Sequence, residues 1–162
     1  MLRGNKLKDY MSEELPSLTY QKRLMYRTDI AEVQQIYRLL NSTIFDNQLA
    51  MPQIQVFPRL RYWGICFGHY ERPRYSRSHC IIRLIDKWYC KQWLITIVAH
   101  EMCHQYQWDV LGAERKMLGK DPIMSHGPSF YLYRDELKKH GIALKESFSR
   151  AKWFRYQNLF KC

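Results

Sequence analysis

An α+β fold, in which a small three-stranded antiparallel sheet packs beside a long buried helix and flanking helices, is what three observations predict. A capped amphipathic segment opens at Asp29, three short runs of strand character lie between residues 54 and 85, and an unbroken apolar segment runs from about Tyr89 to Asp109. The 162 residues are 46% apolar and 25% charged, the proportions of one globular domain. A chain of this length buries roughly 70% of the surface that its unfolded form exposes, so it needs no disulfide framework.

Residues 1–28 mix Lys, Arg, Glu, Ser and Pro16 without periodicity and read as a partly ordered arm ahead of a core at 29–141. Asp29 can cap a helix with Glu32 in capping-box position, and Ile30, Val33, Ile36, Tyr37, Leu40 and Ile44 recur at helical spacing. The runs 54–57, 62–70 and 80–85 read as strands, separated by turns that contain Pro58 and Pro73. Between Tyr89 and Asp109 there is neither Gly nor Pro, and Leu94, Ile95, Ile97, Val98, Met102 and Tyr106 mark a largely buried helix. Residues 112–125, rich in Lys, Glu, Gly and Asp, read as an exposed excursion. A last helix opens at Gly127-Pro128 and stops at His140-Gly141, and residues 142–162 form a basic aromatic tail expected to pack on the core.

The net charge of +11 points to a polyanionic partner such as nucleic acid. Arg59, Arg61, Arg72, Arg74 and Arg77 interleave with Tyr62, Trp63, Tyr70 and Tyr75, and Lys152 and Arg155 stand among Trp153, Phe154 and Tyr156. Such interleaving suits phosphate contacts with base stacking, although a solvated turn over packed aromatics would read the same way. The five cysteines include no Cys-x-x-Cys pair, which argues against a secreted scaffold or a zinc ribbon and predicts free thiols in an intracellular, cytoplasmic setting. The amino terminus has no apolar core of a signal peptide, and the apolar run near 93–99 is too short to span a bilayer, so neither secretion nor a membrane partner is expected.

The central helix carries His100-Glu101-Met102-Cys103-His104. Residues four apart on a helix are about 40° apart around the axis and about 6 Å apart along it, so both imidazoles can face one metal ion. Glu101 sits about 60° around from His104, where its carboxylate can reach a water beside that ion and act as a general base. A catalytic zinc site takes three protein ligands and leaves one position open. The metzincin extension is excluded, because Gln107 and Val110 occupy the places of its glycine and third histidine. Glu114, Glu136 and His126 remain as candidates for the third ligand. Cys103 is turned about 100° from His104 and is expected to pack inward rather than to act as a nucleophile.

The chain resembles the SprT-like metalloproteases, whose members include the DNA-dependent protease Spartan, over roughly Val33 to Gly141. Leu39-Leu40-Asn41 with Phe45-Asp46, then Gly64, Cys66 and Ile81-Ile82-Arg83-Leu84, are similar to the family's helix and strand ahead of the active-site helix. His100-Glu101-Met102-Cys103-His104 and Ser125-His126-Gly127-Pro128-Ser129-Phe130 are similar to its two site motifs, the second to His-Gly-x-x-Phe. The resemblance implies a zincin-like core, one catalytic Zn2+ with His126 as its third ligand, and substrates that are proteins bound or crosslinked to DNA. Many relatives carry a cysteine-rich zinc ribbon; with no Cys-x-x-Cys here, any grip on DNA is expected from the core, the arm or the tail.

The expected function is therefore a zinc-dependent endopeptidase with His100, His104 and His126 as ligands and Glu101 as general base. It is expected to act as a monomer on a protein substrate, with single-stranded or junction DNA as partner, in the cytoplasm, at a nucleoid or in a nucleus. Tyr70, Tyr106 and Tyr131 are candidate oxyanion donors. Two alternatives stand beside this reading: a DNA-independent metallopeptidase for a specific regulatory or host protein, and a nucleic-acid-binding module with a structural metal and no protease activity.

Overall fold

The computed structural model describes residues 7, 24, 26–68, 76–112 and 126–148. Helix α1, Ile30–Thr43, is capped as its sequence predicts: the Asp29 carboxylate accepts the Glu32 N–H at 2.8 Å. The second half of the expected capping box is diverted. The Glu32 carboxylate turns to the hydroxyls of Tyr26 and, at 2.5 Å, Thr28, which ties the helix to the short strand β1, Tyr26–Arg27. Val33, Ile36, Tyr37 and Leu40 form the buried stripe of α1.

Strands β2, Gln53–Phe57, β3, Gly64–Gly68, and β4, Cys80–Ile85, form a sheet in the order β2-β4-β3. Strand β3 runs antiparallel to β4, but β2 runs parallel to it, so the sheet is mixed and not wholly antiparallel as expected. The cause is the position of β4. It is the most apolar of the three strands and takes the centre, with Cys80, Ile82, Leu84 and Ile85 buried. Residues 58–63 carry the chain from β2 past the end of β4 to the far edge, a span of about 10 Å, instead of folding back as a hairpin. Two backbone bonds of 3.0 Å pin that crossing, Asp86 N–H to the Phe57 carbonyl and Ile85 N–H to the Trp63 carbonyl. Strand β5, Lys87–Trp88, pairs antiparallel with β1 in a separate ribbon.

Helix α2, Lys91–Tyr106, is buried on almost every side, from Gln92 through Cys103 and again at Gln105. Where an uninterrupted helix is predicted, the last turn instead widens into a π-helical turn at Gln107–Leu111. Polar pins hold it. The Gln105 amide donates to the Ala50 carbonyl at 2.7 Å and to Asp109 at 2.9 Å, while Asp109 accepts the Ser78 hydroxyl at 2.6 Å and the His79 N–H at 2.8 Å. The end of α2 is thereby fixed to the start of β4 and to the loop that follows α1.

After a 3₁₀ turn at Phe130–Tyr133, helix α3, Arg134–Lys139, stops where the sequence predicts. Gly141 adopts φ +75°, Ile142 N–H reaches the Leu137 carbonyl and Gly141 N–H the Lys138 carbonyl, both at 3.0 Å, and the apolar pair Leu137 and Ile142 is buried beneath. The chain then runs as a strap to Phe148, whose carbonyl accepts the Trp63 indole N–H at 2.9 Å. Beneath that strap Trp63 packs against Trp88 and Trp93, with ring centroids 5.4 and 5.2 Å away. Trp93 is fully buried, so Trp93→Ala is expected to cost about 3–5 kcal/mol in chemical denaturation. Cys66, Cys80 and Cys103 are free thiols, but Cys90 is disulfide-bonded, contrary to the expectation that every cysteine stays free. Among the described residues no helix is long and apolar enough to cross a membrane.

Candidate metal centre

Helix α2 presents His100 and His104 one turn apart, and the turn before Phe130 brings His126 to meet them. Their Nε2 atoms lie 3.2 Å (His100 to His104) and 3.3 Å (His100 to His126) apart, and the three candidate donor atoms all fall within 4.8 Å of one another. Phe130, fully buried, packs against all three imidazoles with centroids at 4.6–4.8 Å. Its ring is an apolar wedge that holds the donors together and keeps water from their backs.

Burial above all, then the neighbouring His104 and His126, pulls the His100 pKa down to about 3, with the main chain of Lys145 acting in the opposite sense. Burial pulls His104 down to about 4, opposed by its bond to Gln107 and aided by His126. His126 is lowered too, by burial, with Glu146 acting in the opposite sense. All three imidazoles are therefore neutral at neutral pH. Three convergent neutral imidazoles form a donor set that could hold a metal ion.

Glu101 is 4% exposed, and burial pushes its carboxyl up to about 8 against a main-chain hydrogen bond from Cys66. Gly64 makes room for it: a Cβ there would stand 2.8 Å from Leu84, 2.9 Å from Ile97 and 3.0 Å from the Glu101 Oε1. Gly64→Ala is therefore expected to destabilise by about 1–3 kcal/mol and to displace the carboxylate, read as a fall in both melting temperature and turnover. The three histidines and Glu101 open into a cleft of about 810 Å³, walled on one side by Gly64, Ile65 and Cys66 of β3 and on the other by Glu146, Ser147 and Phe148.

The titrations have opposite signs. Unfolded histidines take up protons near pH 6.5 and the folded ones only near 3 and 4, so stability falls as the pH drops below 6.5. An unfolded glutamate titrates near 4.5 and the folded Glu101 near 8, so stability also falls as the pH rises between those values. The contribution of these groups to the metal-free protein thus peaks near pH 6.5, where the two trends cross, with net losses on the order of 1 kcal/mol at pH 5 and at pH 8. Denaturation of metal-free protein across that range checks it, and a flat profile contradicts it.

A family model of the SprT-like family matches residues 33–149. The chain belongs to the SprT-like family. That family is associated with metallopeptidase-like function, and the matched span contains His100, Glu101, His104 and His126 together with the strap as far as Phe148. No curated protein matches the chain.

Of the alternatives to His126 in this SprT-like domain, Glu136 faces away, with its carboxylate 2.7 Å from Lys139 and 3.7 Å from His140, and Glu114 lies outside the described residues. Cys103 is buried, and its thiol is held well above its ordinary range, first by burial and then by Glu101, which leaves no thiolate for catalysis. Tyr106 packs on Phe45 and Tyr133, and Tyr131 lies against Phe130 under Arg134; neither lines the cleft, and Tyr70 lies outside the described residues. Among the basic candidates Arg59, Arg61 and Arg77 are exposed, and of these Arg61 lines the cleft, whereas Arg72, Arg74, Lys152 and Arg155 lie outside the described residues. Sequence reasoning did not find Gln107, whose Oε1 lies 2.9 Å from the His104 Nδ1, nor Trp108, whose ring fills the space above Gly68. The three-residue spacing from His104 to Gln107 on a helix was the available signal for the first.

Proposed function

We propose that this SprT-like protein is a zinc-dependent endopeptidase acting on proteins bound or crosslinked to DNA. The observation that carries the peptidase reading is Glu101, a carboxylate buried at the bottom of an open cleft beside three convergent imidazoles. Burying a carboxylate is costly, and a purely structural metal site has no use for one there. Among the described residues three donors converge, not the four of a closed structural site.

When bound by His100, His104 and His126, zinc supplies Lewis-acid chemistry, polarising a carbonyl and acidifying water. Glu101 accepts the proton of the attacking water and returns it to the nitrogen of the departing amine. Strand β3 is an edge of its sheet and lines the cleft, so its outer main-chain groups can hold an extended peptide across the site.

The DNA-directed part rests on the net charge of +11 and on the exposed Arg59, Arg61 and Arg77. DNA affinity is expected to fall by tenfold to a thousandfold between about 50 and 200 mM salt, and Arg59→Glu, Arg61→Glu and Arg77→Glu together should flatten that slope. Cleavage of a basic DNA-binding protein with and without single-stranded DNA tests the proposal. Stimulation by DNA supports it; cleavage with no DNA affinity at about 50 mM salt leaves a DNA-independent peptidase.

A further inference from the structure

Gln107 lies three residues beyond His104 in the π-helical turn and is 1% exposed. Its carbonyl Oε1 is 2.9 Å from the His104 Nδ1, and its amide Nε2 donates to the Ser129 hydroxyl at 2.9 Å. Ser129 stands three residues after His126, immediately before the Phe130 wedge. One side chain thus joins the two segments that carry the metal-facing histidines.

We infer that Gln107 is a positioning residue that locks His104 in the tautomer with the proton on Nδ1 and the lone pair on Nε2, and couples that lock to the turn bearing His126. An amide oxygen only accepts, so the His104 Nδ1 facing it must donate. The neutral ring then carries its lone pair on Nε2, which is the atom directed at His100 and the metal site. The opposite amide orientation would aim its N–H groups at Nδ1 and leave the Ser129 hydroxyl to donate to the amide oxygen, with the His104 proton on Nε2, where it would block the site. The widened helical turn matters here. It is held by the Gln105 and Asp109 pins and delivers Gln107 to both partners at once. The inference rests on the three-histidine metal reading but names residues outside the ligand set.

Two measurements separate the inference from that reading. Long-range proton–nitrogen correlation spectra of the metal-free protein report the His104 tautomer whether or not metal binds, and competition titration with zinc alone reports affinity. The wild type is expected to show His104 protonated on Nδ1. Gln107→Leu should lose that preference and bind zinc roughly 10- to 100-fold more weakly. Gln107→Glu keeps an acceptor for Nδ1 and should keep both the tautomer and affinity close to the wild type. Should Gln107→Leu fail to fold, Ser129→Ala, which frees the amide to turn, is expected to weaken zinc binding relative to Gln107→Glu. A wild-type ring protonated on Nε2, or equal zinc affinity in Gln107→Glu and Ser129→Ala, would overturn the inference. A wild type that binds no zinc while His104 is protonated on Nδ1 would instead sink the metal reading and leave the lock intact.

Discussion

Glutamine in place of Glu101 is expected to lower kcat for peptide cleavage by roughly 10²- to 10⁴-fold while zinc still binds at wild-type affinity. The amide has nearly the shape of the carboxyl group but cannot accept a proton from water. Its buried setting makes the substitution gentle on the fold: Glu101 carries its charge at a cost that pushes its pKa to about 8, and a neutral amide removes that cost. Above about pH 8 the metal-free Glu101→Gln protein should therefore be at least as stable as the wild type in urea denaturation. A variant with normal turnover would remove Glu101 from the chemistry, and one that lost zinc would show that the carboxylate holds the site together instead.

His126→Ala is expected to weaken zinc binding by roughly 100-fold or more, exceeding the loss expected when a residue merely supporting a ligand is removed. His100→Ala and His104→Ala should do the same, because each removes one of three converging donors. His126 is the most telling of the three. It lies 22 residues beyond His104 and meets the helix through the folded turn before Phe130, so its loss tests the tertiary arrangement and not a helical motif. Glu136→Ala, at an exposed carboxylate engaged with Lys139, is the control and should leave zinc affinity unchanged. Full zinc occupancy in His126→Ala would move the third ligand elsewhere.

Local signals that the tertiary structure had no reason to override were legible in the sequence. The Asp29 cap and the Gly141 stop depend on a few neighbouring residues, and both stand where the sequence places them. The sheet was legible as three strands but not as a topology. Pairing depends on which strand is apolar enough to be central, and the choice of β4 turned β2 parallel to it. The π-helical turn was hidden for a similar reason: its cause is a set of contacts from Asp109 and Gln105 to Ser78, His79 and Ala50, far away in the chain. At the site, the spacing of His100 and His104 shows that they share a helix face, whereas only the fold shows Phe130 wedged behind all three rings and Gly64 clearing space for Glu101. Gln107 carried a readable spacing from His104 but no readable partner, since Ser129 reaches it across the site.

In the proposed function one metal ion, held by His100, His104 and His126, makes Glu101 a working general base for peptide cleavage. The most direct test is to titrate zinc into metal-free protein while following hydrolysis of an unfolded protein substrate, with single-stranded DNA present. Cleavage is expected to rise with zinc, level off at one equivalent and stay at background throughout in Glu101→Gln. Binding of one equivalent with no cleavage, or cleavage indifferent to zinc, would contradict it.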